Sequence, residues 1–285
     1  YPDQPIKLVV PYPPGGATDV IGRIVAKALA DDLKANVVVD NRGGASGSIG
    51  AAEVAKAKPD GYTLLMGVLT SHSIYQNLYR KNANYDLNKD FNTVAIVGKV
   101  PLVFVVNPSI PANNLSELIA LAKKNPGKHS IASAGNGSPQ HMASALFEIT
   151  AGIDLIPVPY RGSGPAMTDL VGGQVDSMIE TVPAAQQFIK SGQLRALAVT
   201  SQDRAPTLPD VPTAKEAGLN NFDVSSMFGV LAPAGTPAEH IKVITQSLQK
   251  ALGNKELQEA LLNQGVVAGY QTPQNAQTSI KDELA

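Results

Sequence analysis

Two short stretches of this chain hold the residue types that can bind an anion without a cation. The first is PYPPGGATD, residues 11–19. Gly15 and Gly16 let the backbone come close to a bound group, and Thr18 and Asp19 open an amphipathic run. A helix starting there offers N–H groups with no intrahelical acceptor and a partial positive charge, which together make an anion site. Thr18 adds a hydroxyl donor. Asp19, itself acidic, is expected to cap and order the loop rather than touch the anion. The second is SAGNGSPQHM, residues 133–142. Gly135 and Gly137 free the backbone, Ser138 is a natural cap, Pro139 suits the first helical position, and Gln140 and His141 fall in the first turn. His141 is expected as a donor beside the cap rather than as a general base. Read singly, each stretch is a helix cap. Two of them, one in each half of a divided chain and facing each other, would grip a molecule with an anionic group at each end.

Lesser candidates follow other strand-like runs: Thr70, Ser71 and His72 in LTSHS, Arg161 and Ser163 in YRGSGPA, and Thr181 in ETVP. Each of these, taken alone, reads as a solvated turn. Other chemistries lack their patterns. Glycines 44, 47 and 50 do not space as G-x-G-x-x-G, GNGSPQ has Gln140 where the last glycine belongs, and no G-K-[ST] follows. There is no G-x-S-x-G and no H-E-x-x-H. The four histidines (72, 129, 141 and 240) have no metal-ligand spacing, and the absence of cysteine removes thiolate chemistry. His129 and His240 read as surface residues. A triad drawn from Ser138, His72 and Asp19 is open to geometry alone, and nothing in the sequence supports it. No cofactor, no metal and no catalysis are expected.

The elements that must position these residues alternate. Strands are expected at 6–10, 37–40, 62–67, 93–97, 102–106, 130–134, 155–158, 176–180, 195–200 and 224–231. Helices are expected at 18–33, 115–124 (capped by Asn114 or Ser116), 139–150, 237–252, 256–264 and 273–284. In the first helix Val20, Ile21, Ile24, Val25, Ala28 and Leu29 share one face. Strand–helix alternation calls for an α/β fold with parallel pairing and right-handed crossovers. Two strands with no long helix between them near residue 100, and an irregular passage at 219–237, are candidate crossings between lobes. One lobe would then be 1–100 with 225–285, the other 101–224, with a ligand cleft between them. A single large doubly wound sheet is the alternative. The 285 residues can bury a large core, and a net charge of −1 draws the chain to neither nucleic acid nor an anionic membrane. No apolar run approaches the roughly 20 residues that span a bilayer. The chain opens at Tyr1 without a leader, as a processed, exported product would.

In this order, PYPPGGATDVIGRIVA, VVVDNRGGASGSIGAAEVA, KPDGYTLLMG, KDFNTVAIVG, PGKHSIASAGNGSPQHMASALF, VPYRGSGPAMTDLVGGQVDSM, LRALAVTSQDRAPTLPDVPTAKEAG and GVLAPAGTP are specific over nearly the full length. The chain resembles the Bug or TctC-type solute-binding proteins of tripartite tricarboxylate transport systems. That resemblance implies a two-lobed periplasmic binding protein of the type II, Venus-flytrap kind, each lobe a mostly parallel sheet flanked by helices. It implies a monomer that captures a small carboxylate, a dicarboxylate by preference, through loop amides and water, and delivers it to membrane transporter subunits. The first ligand loop would be Tyr12, Gly16, Ala17, Thr18 and Asp19, and the opposing one Gly135, Asn136, Gly137 and Ser138. Thr70, Ser71, His72, Ser163 and Thr181 would be wall residues. The last helix of the family usually runs further, so a truncated C-terminus is expected. A sensor without transport and a small-carboxylate enzyme are the rival classes.

Overall fold

The computed structural model describes residues 1–79, 83–271, 275 and 278. The chain divides into two compact units. Unit 1 is Tyr1–Lys99, Met227–Asn263 and Val267–Ala285, and unit 2 is Val100–Ser226 with Gln264–Val266.

In unit 1, β1 (Ile6–Val10), β2 (Val37–Asn41) and β3 (Thr63–Val68) form a parallel triplet in the order β2-β1-β3. The connections are α1 (Ala17–Leu33), then a 3-10 turn (Ala45–Gly47) and α2 (Ser48–Ala55); α3 (Leu69–Leu78) follows β3 directly. β9 (Ser225–Pro233) pairs antiparallel with β3, and β10 (Val267–Gln271) pairs antiparallel with the first half of β4 (Phe91–Val106). Helix α1 buries Ile21, Val25, Ala26 and Leu29 at i, i+4, i+5 and i+8, the stripe that a helix lays on a sheet. Val9, Leu65, Leu69, Phe91, Ile96 and Leu231 belong to one continuous core. Helix α8 (Ala238–Leu252) lies against α1, with Lys250 paired to Asp32, and α9 (Lys255–Asn263) follows.

Unit 2 repeats the plan. Strands β5 (Ser130–Ser133), β6 (Ile156–Pro159) and β7 (Ser177–Thr181) pair in parallel as β6-β5-β7. The second half of β4 runs antiparallel to both β7 and β8 (Arg195–Val199). Each sheet is therefore mixed, with parallel pairing confined to its βα part. The pleat of β4 sorts its side chains by twos. Leu102, Phe104 and Val106 enter the core with α4 (Leu115–Lys124) and α5 (Pro139–Ala151); Val103 and Val105 enter the one with α6 (Ser163–Val171) and α7 (Val182–Lys190). The sheet is thus covered by helices on both faces.

Several expectations shift. The two strands at 93–97 and 102–106 are one, in which Pro101 falls between the residues that pair with β10 and those that pair with β7 and β8. Helices α2, α3, α6 and α7 occupy stretches expected as loops or turns. Of the two caps considered for α4, Asn114 does the capping: its side chain accepts from the Glu117 amide at 2.8 Å. The helix expected at 273–284 lies, apart from residues 275 and 278, outside the described residues.

Candidate functional site

In a parallel βα unit the helix starts gather at the carboxyl edge of the strands, the edge where ligands bind. In unit 1 that edge carries the starts of α1 and α3 and the 3-10 turn. The loop from β1 ends with Gly15 at φ 88° and with Gly16, in extended conformation, as the N-cap of α1. Among the described residues no side chain caps this helix, and its first intrahelical bond is Val20 N–H to Gly16 carbonyl, 3.1 Å. By position, the amides of Gly16, Ala17, Thr18 and Asp19 are the four that a helix leaves without an internal acceptor. Thr18 and Asp19 are buried.

Asp19 braces the loop from below. Its Oδ2 accepts from the Gly15 amide and from Arg23 Nε, each at 3.0 Å, and its Oδ1 accepts from Asn41 Nδ2 at 3.0 Å. The same Asn41 amide also donates to the Tyr12 carbonyl. Burial pushes the Asp19 carboxyl up, but the bonds from Arg23, Gly15 and Asn41 outweigh it and hold it below the ordinary carboxylate range.

Beside this loop, the Tyr12 hydroxyl donates to the Ser46 carbonyl (3.0 Å) and shares a 2.7 Å hydrogen bond with Ser71 Oγ. Burial pushes the Tyr12 phenol up to about 12. Thr70 accepts the Met227 amide through its hydroxyl, which ties α3 to β9. His72 is wholly buried, edge-on to Tyr85 at 5.8 Å between ring centres. Burial lowers its imidazole to about 4, and its Nε2 has no hydrogen-bond partner among the described residues.

In unit 2 the corresponding edge carries the starts of α5, α6 and α7. Ser138 caps α5 by accepting from the His141 amide (3.2 Å), and Pro139 fills the next position. The loop before it is tight. Gly135 sits at φ 120°, where a Cβ would come within 3.0 Å of the Tyr160 carbonyl. The Ser138 amide donates to the Gly135 carbonyl, and the Gly137 amide donates to His141 Nδ1 at 3.2 Å. His141 therefore accepts in this loop through Nδ1, which leaves the Nε2–H as its donor. Asn136 is exposed at the tip. Of the first-turn amides of α5, position leaves that of Gln140 without an acceptor. The two loops differ in this: the start of α1 is open, and that of α5 is largely satisfied from within.

Ser163 is the first residue of α6 and Thr181 the N-cap of α7. Gln140 and Glu180 join them, and neither was among the candidates. Both are buried, and Gln140 Nε2 donates to Glu180 Oε1 at 2.8 Å. A glutamate inside the buried strand SMIET, one residue before a helix N-cap, was the signal available. Two histidines expected at the surface are half-buried. His129 lies 3.5 Å from Asp176, and His240 stacks on Tyr1 with its Nδ1 2.9 Å from the Asp60 carbonyl. Among the described residues no group of His, Asp or Glu is arranged to hold a metal, and no helix is long and apolar enough to cross a membrane.

The profile described as Tripartite tricarboxylate transporter family receptor matches residues 21–285. Protein BugT of Bordetella pertussis is 41% identical over 284 residues, which is 100% of this chain and 87% of BugT. The Rhodopseudomonas palustris protein Rpa4515, solved with adipate, is 34% identical with a TM-score of 0.96, covering 100% of this chain and 95% of that one. MatC of the same organism, solved with bound malate, is 31% identical with a TM-score of 0.92, covering 100% and 97%. The fold is that of periplasmic binding proteins, among which such full-length structural matches fall.

Proposed function

The chain belongs to the tripartite tricarboxylate transporter receptor family, and from that premise we propose that it binds a small dicarboxylate in the periplasm and passes it to membrane transporter subunits, without converting it. The observation that carries this reading is its full-length likeness to two proteins solved with dicarboxylates, adipate and malate. The geometry of the helix starts supports it. Gly16, Ala17, Thr18 and Asp19 present open amides in a loop that Asp19, Asn41 and Arg23 hold in place. Hydrogen bonds to a carboxylate are worth roughly 1.5–3 kcal/mol each. A few of them, with burial and less the cost of association, reach the ~8 kcal/mol of a micromolar ligand. In unit 2 the start of α5, with Gly135, Asn136, Gly137 and Ser138, and the walls at Ser163 and Thr181 are the second place for a carboxylate.

The test is native mass spectrometry of freshly purified protein, then thermal shift of ligand-free protein against mono-, di- and tricarboxylates. A dicarboxylate is expected to raise the melting temperature most. A panel without any shift overturns the reading. Product accumulating from the bound acid, and abolished by Ser138→Ala, would replace it with an enzyme.

A further inference from the structure

Glu180 is the penultimate residue of β7, at the strand edge from which α5, α6 and α7 start, and its side chain is shut off from solvent. Its Oε1 accepts from Gln140 Nε2 in the first turn of α5 (2.8 Å) and from the Thr181 amide at the start of α7 (2.6 Å). The Ser163 hydroxyl, at the start of α6, lies 3.4 Å from the same Gln140 nitrogen and adds a favourable interaction with the carboxyl. Glu180 Oε2 is buried and has no hydrogen-bond partner among the described residues. The groups that act on this carboxyl are Gln140, Ser163 and Thr181, all neutral.

Among the described residues, no titratable side chain on the surrounding elements bonds to Glu180. His141 on α5 accepts the Gly137 amide. Arg161, before α6, is exposed, and Asp169 on α6 takes the Tyr160 hydroxyl at 2.7 Å. Lys190 lies in the last turn of α7, and β4 presents Val103 across from Glu180. With no counter-ion among the described residues, an ionised carboxylate here would be an uncompensated buried charge, which favours the neutral acid. Burial accordingly pushes the Glu180 carboxyl up.

We propose that Glu180 is a positioning residue held as the neutral acid, that it ties the starts of α5, α6 and α7 together, and that its ionisation weakens carboxylate binding at that edge. The inference rests on the carboxylate-binding reading above. Each helix start carries a partial positive charge. A neutral carboxyl beside them leaves that charge to the ligand. An ionised one consumes it and repels a second carboxylate.

The test compares wild type with Glu180→Gln, which keeps the shape and stays neutral. In ligand-free protein near pH 7, an infrared difference spectrum is expected to show the carbonyl stretch of a neutral carboxyl group in wild type and not in the variant. With adipate and malate as probes, calorimetry reads the affinity of both proteins as a function of pH. From about pH 6 to about pH 9, where both probes are dianions, wild-type affinity should fall tenfold or more while that of Glu180→Gln stays level. A missing carbonyl band, a flat wild-type profile, or a Glu180→Gln profile that falls in step with wild type overturns the inference. If wild type binds neither probe nor any other dicarboxylate, the binding reading and this coupling fall together. If wild type binds and the band is missing, only this inference falls.

Discussion

At the start of α1 a carboxylate, Asp19, stands where an anion is proposed to bind, and its hydrogen bonds resolve the contradiction. All of them run to the loop's own frame: the Gly15 amide, Arg23 and Asn41. Ala17 is the first residue of α1, and Gly16 before it is extended. Both features suit proline at position 17, since the first helical position tolerates it and the preceding residue is already outside the α region. Ala17→Pro is therefore expected to fold normally, lose one donor and bind adipate or malate about tenfold more weakly, the ~1.4 kcal/mol of one hydrogen bond. Calorimetry on a variant with an unchanged circular dichroism spectrum checks this. His72 gives a second prediction. Its imidazole titrates near 6.5 when unfolded and near 4 when folded, because burial disfavours the cation. Between those values the unfolded chain binds a proton that the native protein does not. Its contribution to stability is therefore full above pH 6.5 and declines as pH falls towards 4. His72→Phe keeps the ring edge against Tyr85 and cannot titrate. Between pH 7 and pH 5, wild type should lose about 2 kcal/mol more than the variant, because each tenfold rise in proton concentration below pH 6.5 costs ~1.36 kcal/mol. Urea denaturation at both values reads the difference, and equal losses would refute it.

At the scale of elements, α1 rests on β1 through a glycine. A Cβ at Gly22 would meet Val10 Cγ2 at 2.8 Å and Met66 Cγ at 3.5 Å. Replacing an exposed helical glycine with alanine gains about 0.5–1 kcal/mol. Here the stiff valine must move, and overpacking costs about 1–3 kcal/mol, so the second effect wins. Gly22→Ala should lower the melting temperature, and an unchanged or higher one would show that α1 slides freely on its sheet. Helices that follow apolar periodicity over four turns or more, α1 and α8, were legible in the sequence. So was Ser138 as a cap, because a serine before proline at a helix start is a local signal. Helices α6 and α7 were not, since nine residues give little periodicity and GSGPA and TVP read as turns. In the structure Pro165 and Pro183 sit in first turns, where a missing N–H costs nothing. The single strand β4 was equally hidden, because Pro101 reads as a break until the pairings on either side of it are seen.

At the scale of the molecule, two α/β units are built from one chain that passes between them at residues 99–100, 226–227, 263–264 and 266–267. Binding to helix-start amides depends on the charge of the ligand. Diesters of the acids that stabilise the protein should therefore shift its melting temperature little or not at all, since a neutral group gains little from a helix N-terminus. Half-esters should fall between. Thermal shift at matched concentrations decides it, and a diester that stabilises as well as its diacid would point to an apolar pocket instead.

By itself the sequence determined the alternation of strands and helices, the two glycine-rich helix starts and the family resemblance. These depend on periodicity, propensity and short motifs, which are properties of neighbouring residues. Tertiary structure alone decided which buried polar groups meet. Asp19 finds Asn41 because β2 lies beside β1, and Gln140 finds Glu180 because β7 lies beside β5. His72 finds Tyr85 across the end of α3. Such partners are 13 to 40 residues apart. Their meeting is set by strand order, and strand order follows from how the apolar faces pack rather than from any local signal at the polar residues themselves.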